Sequence, residues 1–97
     1  MIVYIDIDNT ICETKDVSDY SKSTPIMENI KKVKTLVSQG HDVSFWTARG
    51  SLSGKDWSEL TKNQLKSWGL GDIPIIFNKP YFDLFIDDRV MNTEDWK

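Results

Sequence analysis

The sequence predicts an α/β protein built on a parallel four-stranded sheet with the strand order 3-2-1-4. An apolar, strand-like run begins the chain, and two stretches with helical periodicity follow, each succeeded by a further apolar run. Parallel β-α-β units account for this alternation, because a crossover helix lies between successive strands. The length of 97 residues suits a single domain, residues 1–97, and leaves little room for a second module.

The first predicted strand is Met1–Ile5, an almost wholly apolar run that ends at a carboxylate. A polar loop, residues 11–24, comes next. A helix is then predicted to begin with Thr24 as its N-cap and Pro25 as its first residue, because apolar residues recur from there at helical spacing until Gly40. One face of this helix should pack on the sheet.

The second strand is predicted over Asp42–Thr47, and the loop 48–55 leads from it into the second helical stretch. The third strand, Ile73–Phe77, contains Pro74, which favours an edge position because proline cannot donate a backbone hydrogen bond. The fourth strand is predicted over Tyr81–Ile86. The order 3-2-1-4 therefore places the most apolar strand inside the sheet and the proline-containing strand at its edge.

Composition and charge limit which binding partners and which cellular compartment we expect for this protein. A net charge of -3 and a pI near 5.0 give no general attraction to nucleic acid or to an anionic membrane. No apolar run is long enough to span a bilayer, and Asp6 and Asp8 come too early for a signal peptide, so we expect a cytoplasmic protein. A single cysteine, Cys12, excludes an internal disulfide and a cysteine-rich metal site.

Acidic side chains end two of the predicted strands. Asp6 and Asp8 follow the first strand, and Asp87 and Asp88 follow the fourth. Unpaired buried carboxylates are costly, so this placement predicts a bound cation, and oxygen ligands favour Mg²⁺. Ligands of open parallel sheets bind beyond the carboxyl ends of the strands, near the point where the strand order reverses. The candidate residues at those ends are Asp6, Asp8, Thr47, Lys79, Asp87 and Asp88.

These residues resemble four ordered motifs of the haloacid dehalogenase superfamily of phosphohydrolases. The motifs are Asp6–Thr10, Thr47, Lys79 and the pair that follows the fourth predicted strand. The segments 41–50 and 79–88 are similar to those of small, capless phosphatases found with capsule and lipopolysaccharide biosynthesis genes. The resemblance covers essentially the whole chain and implies a small Rossmann-like three-layer sandwich without a cap domain.

The resemblance also implies catalytic roles. Asp6 would attack phosphorus and form an aspartyl-phosphate, and Asp8 would protonate the leaving alcohol and later take a proton from water. Thr47 and Lys79 would bind the phosphoryl oxygens, with Lys79 supplying a positive charge to the transferring group.

The implied cofactor is Mg²⁺. Asp6, the backbone carbonyl of Asp8 and the second acidic pair would hold the ion and screen the anionic nucleophile from the anionic phosphate. Within that pair, Asp88 is favoured as the direct ligand and Asp87 as one that acts through water.

Arg49 lies two residues after Thr47 and is interpreted as a substrate-binding residue for a second anionic group. A purely structural role stays open for Arg49 and for Arg89, which follows the second acidic pair.

Three functions remain open at this stage. The first is a phosphatase acting on a small sugar phosphate of surface polysaccharide synthesis, and the second is a nucleotide or nucleic-acid-end phosphatase, suggested by the segment Ile86–Arg89. The acidic pI argues against a long nucleic-acid footprint but not against a mononucleotide. The third is a non-catalytic phosphate-binding module. A capless site admits a macromolecular substrate or a small one covered by a neighbouring subunit of a homo-oligomer.

Overall fold

The computed structural model describes all 97 residues of the chain. It contains five β-strands, two α-helices and two short 3-10 helices, Tyr20–Lys22 and Thr93–Asp95. Neither α-helix has the length and apolar character that crossing a bilayer requires. In chain order the main elements are β1 (Ile2–Ile5), β2 (Cys12–Glu13), β3 (Thr24–Pro25), α1 (Met27–Ser38), β4 (Asp42–Trp46), α2 (Ser58–Ser67) and β5 (Ile75–Ile76).

The main sheet is parallel, with β4 between β1 and β5. Ile5 of β1 pairs with Phe45 of β4, and Phe45 in turn pairs with Ile75 of β5. This arrangement confirms three parallel strands joined by two helices. The third strand lies at one edge as predicted, but it covers only Ile75–Ile76 instead of Ile73–Phe77, so Pro74 directly precedes it. The neighbouring antiparallel pair, β2 and β3, forms a separate two-stranded ribbon.

The hydrophobic core lies on one face of the main sheet. Ile5 and Phe45 point to this face and pack with Ile30 and Val33 of α1 and with Leu65 of α2. The crossovers β1-α1-β4 and β4-α2-β5 step across the sheet in the same direction. Two right-handed crossovers in the same direction place their helices on the same side of the sheet. The described chain therefore has two layers, and the predicted third layer is not formed.

Helix α1 begins later than predicted. Thr24 and Pro25 pair with Cys12 and Glu13 as strand β3 instead of starting the helix, and the Ile26 N–H donates to the Ile11 carbonyl at 2.9 Å. This backbone pairing keeps the chain extended up to residue 26, so the first helical residue is Met27. Pairing with a distant segment overrides the local capping signal.

The predicted fourth strand is not formed. Residues 81–91 are exposed, and no backbone-to-backbone hydrogen bond involves residues 80–91. Because a strand exists only where its backbone groups find partners, the apolar composition of Tyr81–Ile86 is not sufficient by itself. As a result β1, which was expected inside the sheet, is an edge strand with Ile2 and Tyr4 exposed.

Candidate active site

A tight turn follows β1 and positions the first two aspartates. The Ile7 carbonyl accepts hydrogen bonds from the N–H groups of Thr10 and Ile11, at 3.2 and 3.0 Å. Asn9 has a φ of +60°, in the left-handed region that asparagine tolerates better than most residues. Its side-chain oxygen accepts from the Thr14 N–H at 3.0 Å, which fixes the turn. Asp6 and Asp8 therefore lie on a rigid turn at the carboxyl end of the sheet.

Asp6 and Lys79 meet at this end of the sheet. The Lys79 Nζ lies 3.6 Å from Asp6 Oδ1, and the side chain of Lys79 is largely buried while that of Asp6 is only partly so. Lys79 also lies over the rings of Trp46 and Phe82, 5.7 and 5.4 Å from their centroids. These contacts hold one compact positive charge beside one carboxylate.

Lys79 is held by the backbone around it. Its N–H donates to the Thr47 carbonyl at 3.2 Å, and its carbonyl accepts from the Ser51 hydroxyl at 2.7 Å. Thr47 directly follows β4, and its own N–H bonds the Ile76 carbonyl at 2.9 Å. Three of the predicted residues, Asp6, Thr47 and Lys79, therefore come together where the parallel strands end.

The protonation of Asp6 reflects two opposing influences. Burial raises the pKa of this carboxyl above its usual value, while the Lys79 charge and the Ile7 N–H act to lower the pKa. The neighbouring Asp8 charge raises it further. Lys79 is thus the main side chain that favours the ionised form of Asp6.

The Asp8 carboxylate accepts hydrogen bonds from Arg49, Thr14 and, more weakly, the Cys12 thiol at 3.6 Å. Arg49 Nη2 donates to Oδ1 at 2.8 Å and Arg49 Nε donates to Oδ2 at 3.0 Å, the two-pronged geometry of a strong arginine–carboxylate pair. The Thr14 hydroxyl adds a bond to Oδ1 at 2.6 Å. The Arg49 side chain is 0% exposed, so this geometry gives it no surface on which to meet the substrate anion that the sequence suggested for it.

The structure does not gather the four predicted metal-binding carboxylates. Asp87 accepts from the Arg89 N–H, and Asp88, whose side chain is 84% exposed, faces the Arg89 guanidinium at 3.8 Å. No group of three or more Asp, Glu, His or Cys side chains is placed to hold a metal ion. Asp6 and Asp8 instead have Lys79 and Arg49 as partners, so the described arrangement does not fit Mg²⁺ without a further carboxylate.

An open cavity of about 270 Å³ lies beside the site, between the loop after β4 and Phe77. Its lining includes Ser51, Lys55 and Trp57. The loop makes a close turn at Gly50, where φ is +83° and an added Cβ would lie 2.3 Å from the Lys55 carbonyl oxygen. Only glycine fits this approach without rearrangement.

Sequence reasoning missed Thr14, which donates to Asp8, and Thr61 and Gln64, which accept from Arg49. None of the three belongs to a motif, and the latter two lie on α2, far from Asp8 in the chain. Their roles follow from the fold, because Asp8 and α2 come together only in the tertiary structure. A polar side chain on a predicted core face was the one available signal.

The fold and site define a small α/β protein with a parallel sheet whose acidic and basic side chains gather at the carboxyl ends of the strands. The crystal structure of a structural-genomics target from Vibrio cholerae is similar to this protein, with a TM-score of 0.85 and 20% sequence identity. The similarity covers 97% of this chain and 85% of the Vibrio cholerae chain. That likeness establishes the shared fold alone. No family model matches the sequence, and no curated protein shows significant similarity to it.

Proposed function

We propose that this protein is a phosphomonoester hydrolase of the haloacid dehalogenase type that acts through an aspartyl-phosphate on Asp6. The observation that carries the proposal is the Asp6–Lys79 pair at the end of β1, with Thr47 at the end of the adjacent strand. A carboxylate nucleophile beside an ammonium group suits attack on a phosphoryl group, whose charge the ammonium group stabilises. The four ordered motifs of the sequence support the same chemistry.

In the first step, an Asp6 carboxylate oxygen attacks phosphorus and forms a new P–O bond. The P–O bond to the alcohol breaks, and the leaving oxygen takes its proton from the Asp8 carboxyl group. Lys79 stabilises the charge on the phosphoryl oxygens during the transfer.

In the second step, water attacks the phosphorus of the aspartyl-phosphate and gives its proton to the Asp8 carboxylate. The P–O bond to Asp6 breaks, inorganic phosphate leaves, and both carboxyl groups return to their starting states. Asp8 serves as acid and then as base, so its position controls both steps.

We also propose Mg²⁺ as cofactor and the 3-2-1-4 order as the complete sheet. The support is that Tyr81–Ile86 is apolar but exposed, while β1 has an unpaired edge. The flanks of this segment are held close to the first turn: Lys79 contacts Asp6, and the Thr93 hydroxyl bonds the Thr10 hydroxyl at 3.0 Å. Pairing of the segment with β1 would carry the second acidic pair toward Asp6.

The test is an activity screen of the purified protein with Mg²⁺ against phosphomonoesters. The panel includes sugar phosphates, mononucleotides and 3′-phosphorylated oligonucleotides. It therefore separates sugar phosphates of surface polysaccharide synthesis from the nucleotide alternatives. The support for the sugar phosphates is the family resemblance. We expect phosphate release from small phosphomonoesters. Phosphate binding without turnover would indicate the non-catalytic alternative.

Asp6→Asn identifies the nucleophile. We expect this variant to lose turnover at any pH and keep the fold, and we expect beryllium fluoride to inhibit the unaltered protein by imitating the aspartyl-phosphate. Asp83→Asn is the matched control, because Asp83 is exposed and bonds only the Tyr81 hydroxyl. Near-normal turnover by Asp6→Asn would show that another residue is the nucleophile.

A further inference from the structure

Arg49 is the most completely bound charged group in the molecule. Besides its two bonds to Asp8, Nη1 donates to the Thr61 hydroxyl at 2.9 Å and to the Gln64 side-chain oxygen at 2.7 Å. The remaining Nη2 hydrogen points to Cys12 Sγ at 3.8 Å. A guanidinium has five N–H donors, and each of these finds an acceptor here.

The surroundings of Arg49 fix its plane as well as its charge. The Tyr20 ring lies 4.6 Å from the guanidinium carbon, and the Tyr20 carbonyl accepts from Gln64 Nε2 at 2.7 Å. Gln64 therefore joins Arg49 to the segment that covers it. Thr61 is fully buried and Gln64 is nearly a helical turn further along α2, so the helix acts as a rigid support.

We infer that Arg49 is a positioning residue, supported by α2, that holds the Asp8 carboxylate where it accepts the proton of the attacking water. The inference rests on the proposed hydrolase function. The two-pronged pair fixes both oxygens of Asp8 and therefore the direction in which its carboxyl group faces the reacting groups. Substrate contact is a poor alternative, because freeing the guanidinium would leave Asp8, Thr61 and Gln64 without their partner.

The test compares the two half-reactions in Arg49→Lys. With p-nitrophenyl phosphate the leaving group needs no proton donor, so a misplaced Asp8 slows mainly the water step. We expect a burst of nitrophenolate, an aspartyl-phosphate that accumulates in acid-quenched samples, and a kcat lowered by about a hundredfold, the lower end of the range for a lost general base. A compact ammonium group cannot reproduce the fork, so the conservative change should not restore activity.

Thr61→Val provides a second variant if Arg49→Lys fails to fold. It removes one acceptor of Arg49 at nearly constant volume, and we expect a smaller accumulation of the same intermediate. Thr35→Val is the matched control on the exposed side of α1, and we expect no accumulation there.

The outcomes separate the two proposals. The positioning role alone would be overturned if the unaltered protein is active but Arg49→Lys and Thr61→Val slow both half-reactions equally. No intermediate would then accumulate in either variant. Absence of turnover by the unaltered protein on the whole panel would overturn the proposed function and this inference with it.

Discussion

Two buried or half-buried ion pairs determine how the candidate site uses its charges. Asp6 is partnered by Lys79, a compact ammonium group, whereas Asp8 is partnered by Arg49, a planar fork. A compact ammonium group acts as a point charge, while a fork also fixes the orientation of a carboxylate. The two aspartates therefore have cationic partners of different geometry.

Lys79→Met should abolish the stabilisation of the transferring group while preserving the fold. Methionine keeps the packing against Trp46 and Phe82, and we expect kcat/KM to fall by about a hundredfold or more, as for other lost charge-stabilising groups. Steady-state kinetics measure the loss. Lys62→Met on the exposed side of α2 is the control, and an equal effect of both substitutions would argue against a role for Lys79 in the site.

At the scale of elements, α2 links the surface loop after β4 to the interior. Its first turn lacks a side-chain cap from Trp57, the residue at the N-cap position, and Asp56 supplies one instead. The Asp56 carboxylate accepts from the Ser58 N–H at 2.9 Å and from the Ser58 hydroxyl at 2.6 Å. A negative charge there also complements the positive end of the helix dipole.

The stability that Asp56 adds should depend on pH in a known direction. Hydrogen bonds from the Ser58 side chain and backbone lower the pKa of Asp56, so its contribution is present above the unfolded pKa of about 3.9 and is lost as pH falls through the lower, folded value. We expect the Tm difference between the unaltered protein and Asp56→Asn to shrink below about pH 4.

Thermal melts of both proteins over the acidic range measure this difference, and other carboxylates cancel because both proteins carry them. Asp72→Asn, at an exposed position outside the helices, serves as the control. A difference that stays constant as the pH falls would mean that the Asp56 charge does not cap α2.

At the scale of the whole molecule, the described chain leaves one edge and one face of the sheet uncovered. Ile2 and Tyr4 of β1 are exposed, and so are Leu84 and Ile86 of the neighbouring loop. An open apolar edge favours pairing with another strand. The same feature explains why the acidic pair after the predicted fourth strand lies apart from Asp6.

Mg²⁺ should raise the Tm of this protein, because an ion that binds only the folded state stabilises it by mass action. We expect Asp88→Asn to weaken that response more than Asp83→Asn, and we expect amide exchange of residues 82–86 to slow when Mg²⁺ is added. Thermal melts and hydrogen exchange measure these effects. Equal Mg²⁺ responses in both variants would argue against Asp88 as a ligand, and unchanged exchange would argue against strand pairing.

Patterns along the sequence predicted the elements whose signals are local. The spacing of Ile30 and Val33 predicted α1, and the structure confirms that both residues are buried. Gly40 was expected to end that helix, and its φ of +87° is the conformation that such an ending uses. The strand Asp42–Trp46 was likewise expected within one residue of its observed end. Each of these patterns depends only on residues that are close together in the sequence.

By itself, the sequence determined which chemical groups stand at the ends of the strands, because parallel strands and short loops bring Asp6, Thr47 and Lys79 to one edge. Only the tertiary structure decided which partner each group has. Arg49 is buried against Asp8 because α2 packs over that side chain, and Tyr81–Ile86 remains unpaired because strand formation depends on a distant edge. Contacts between segments far apart in the chain depend on packing that no local pattern encodes.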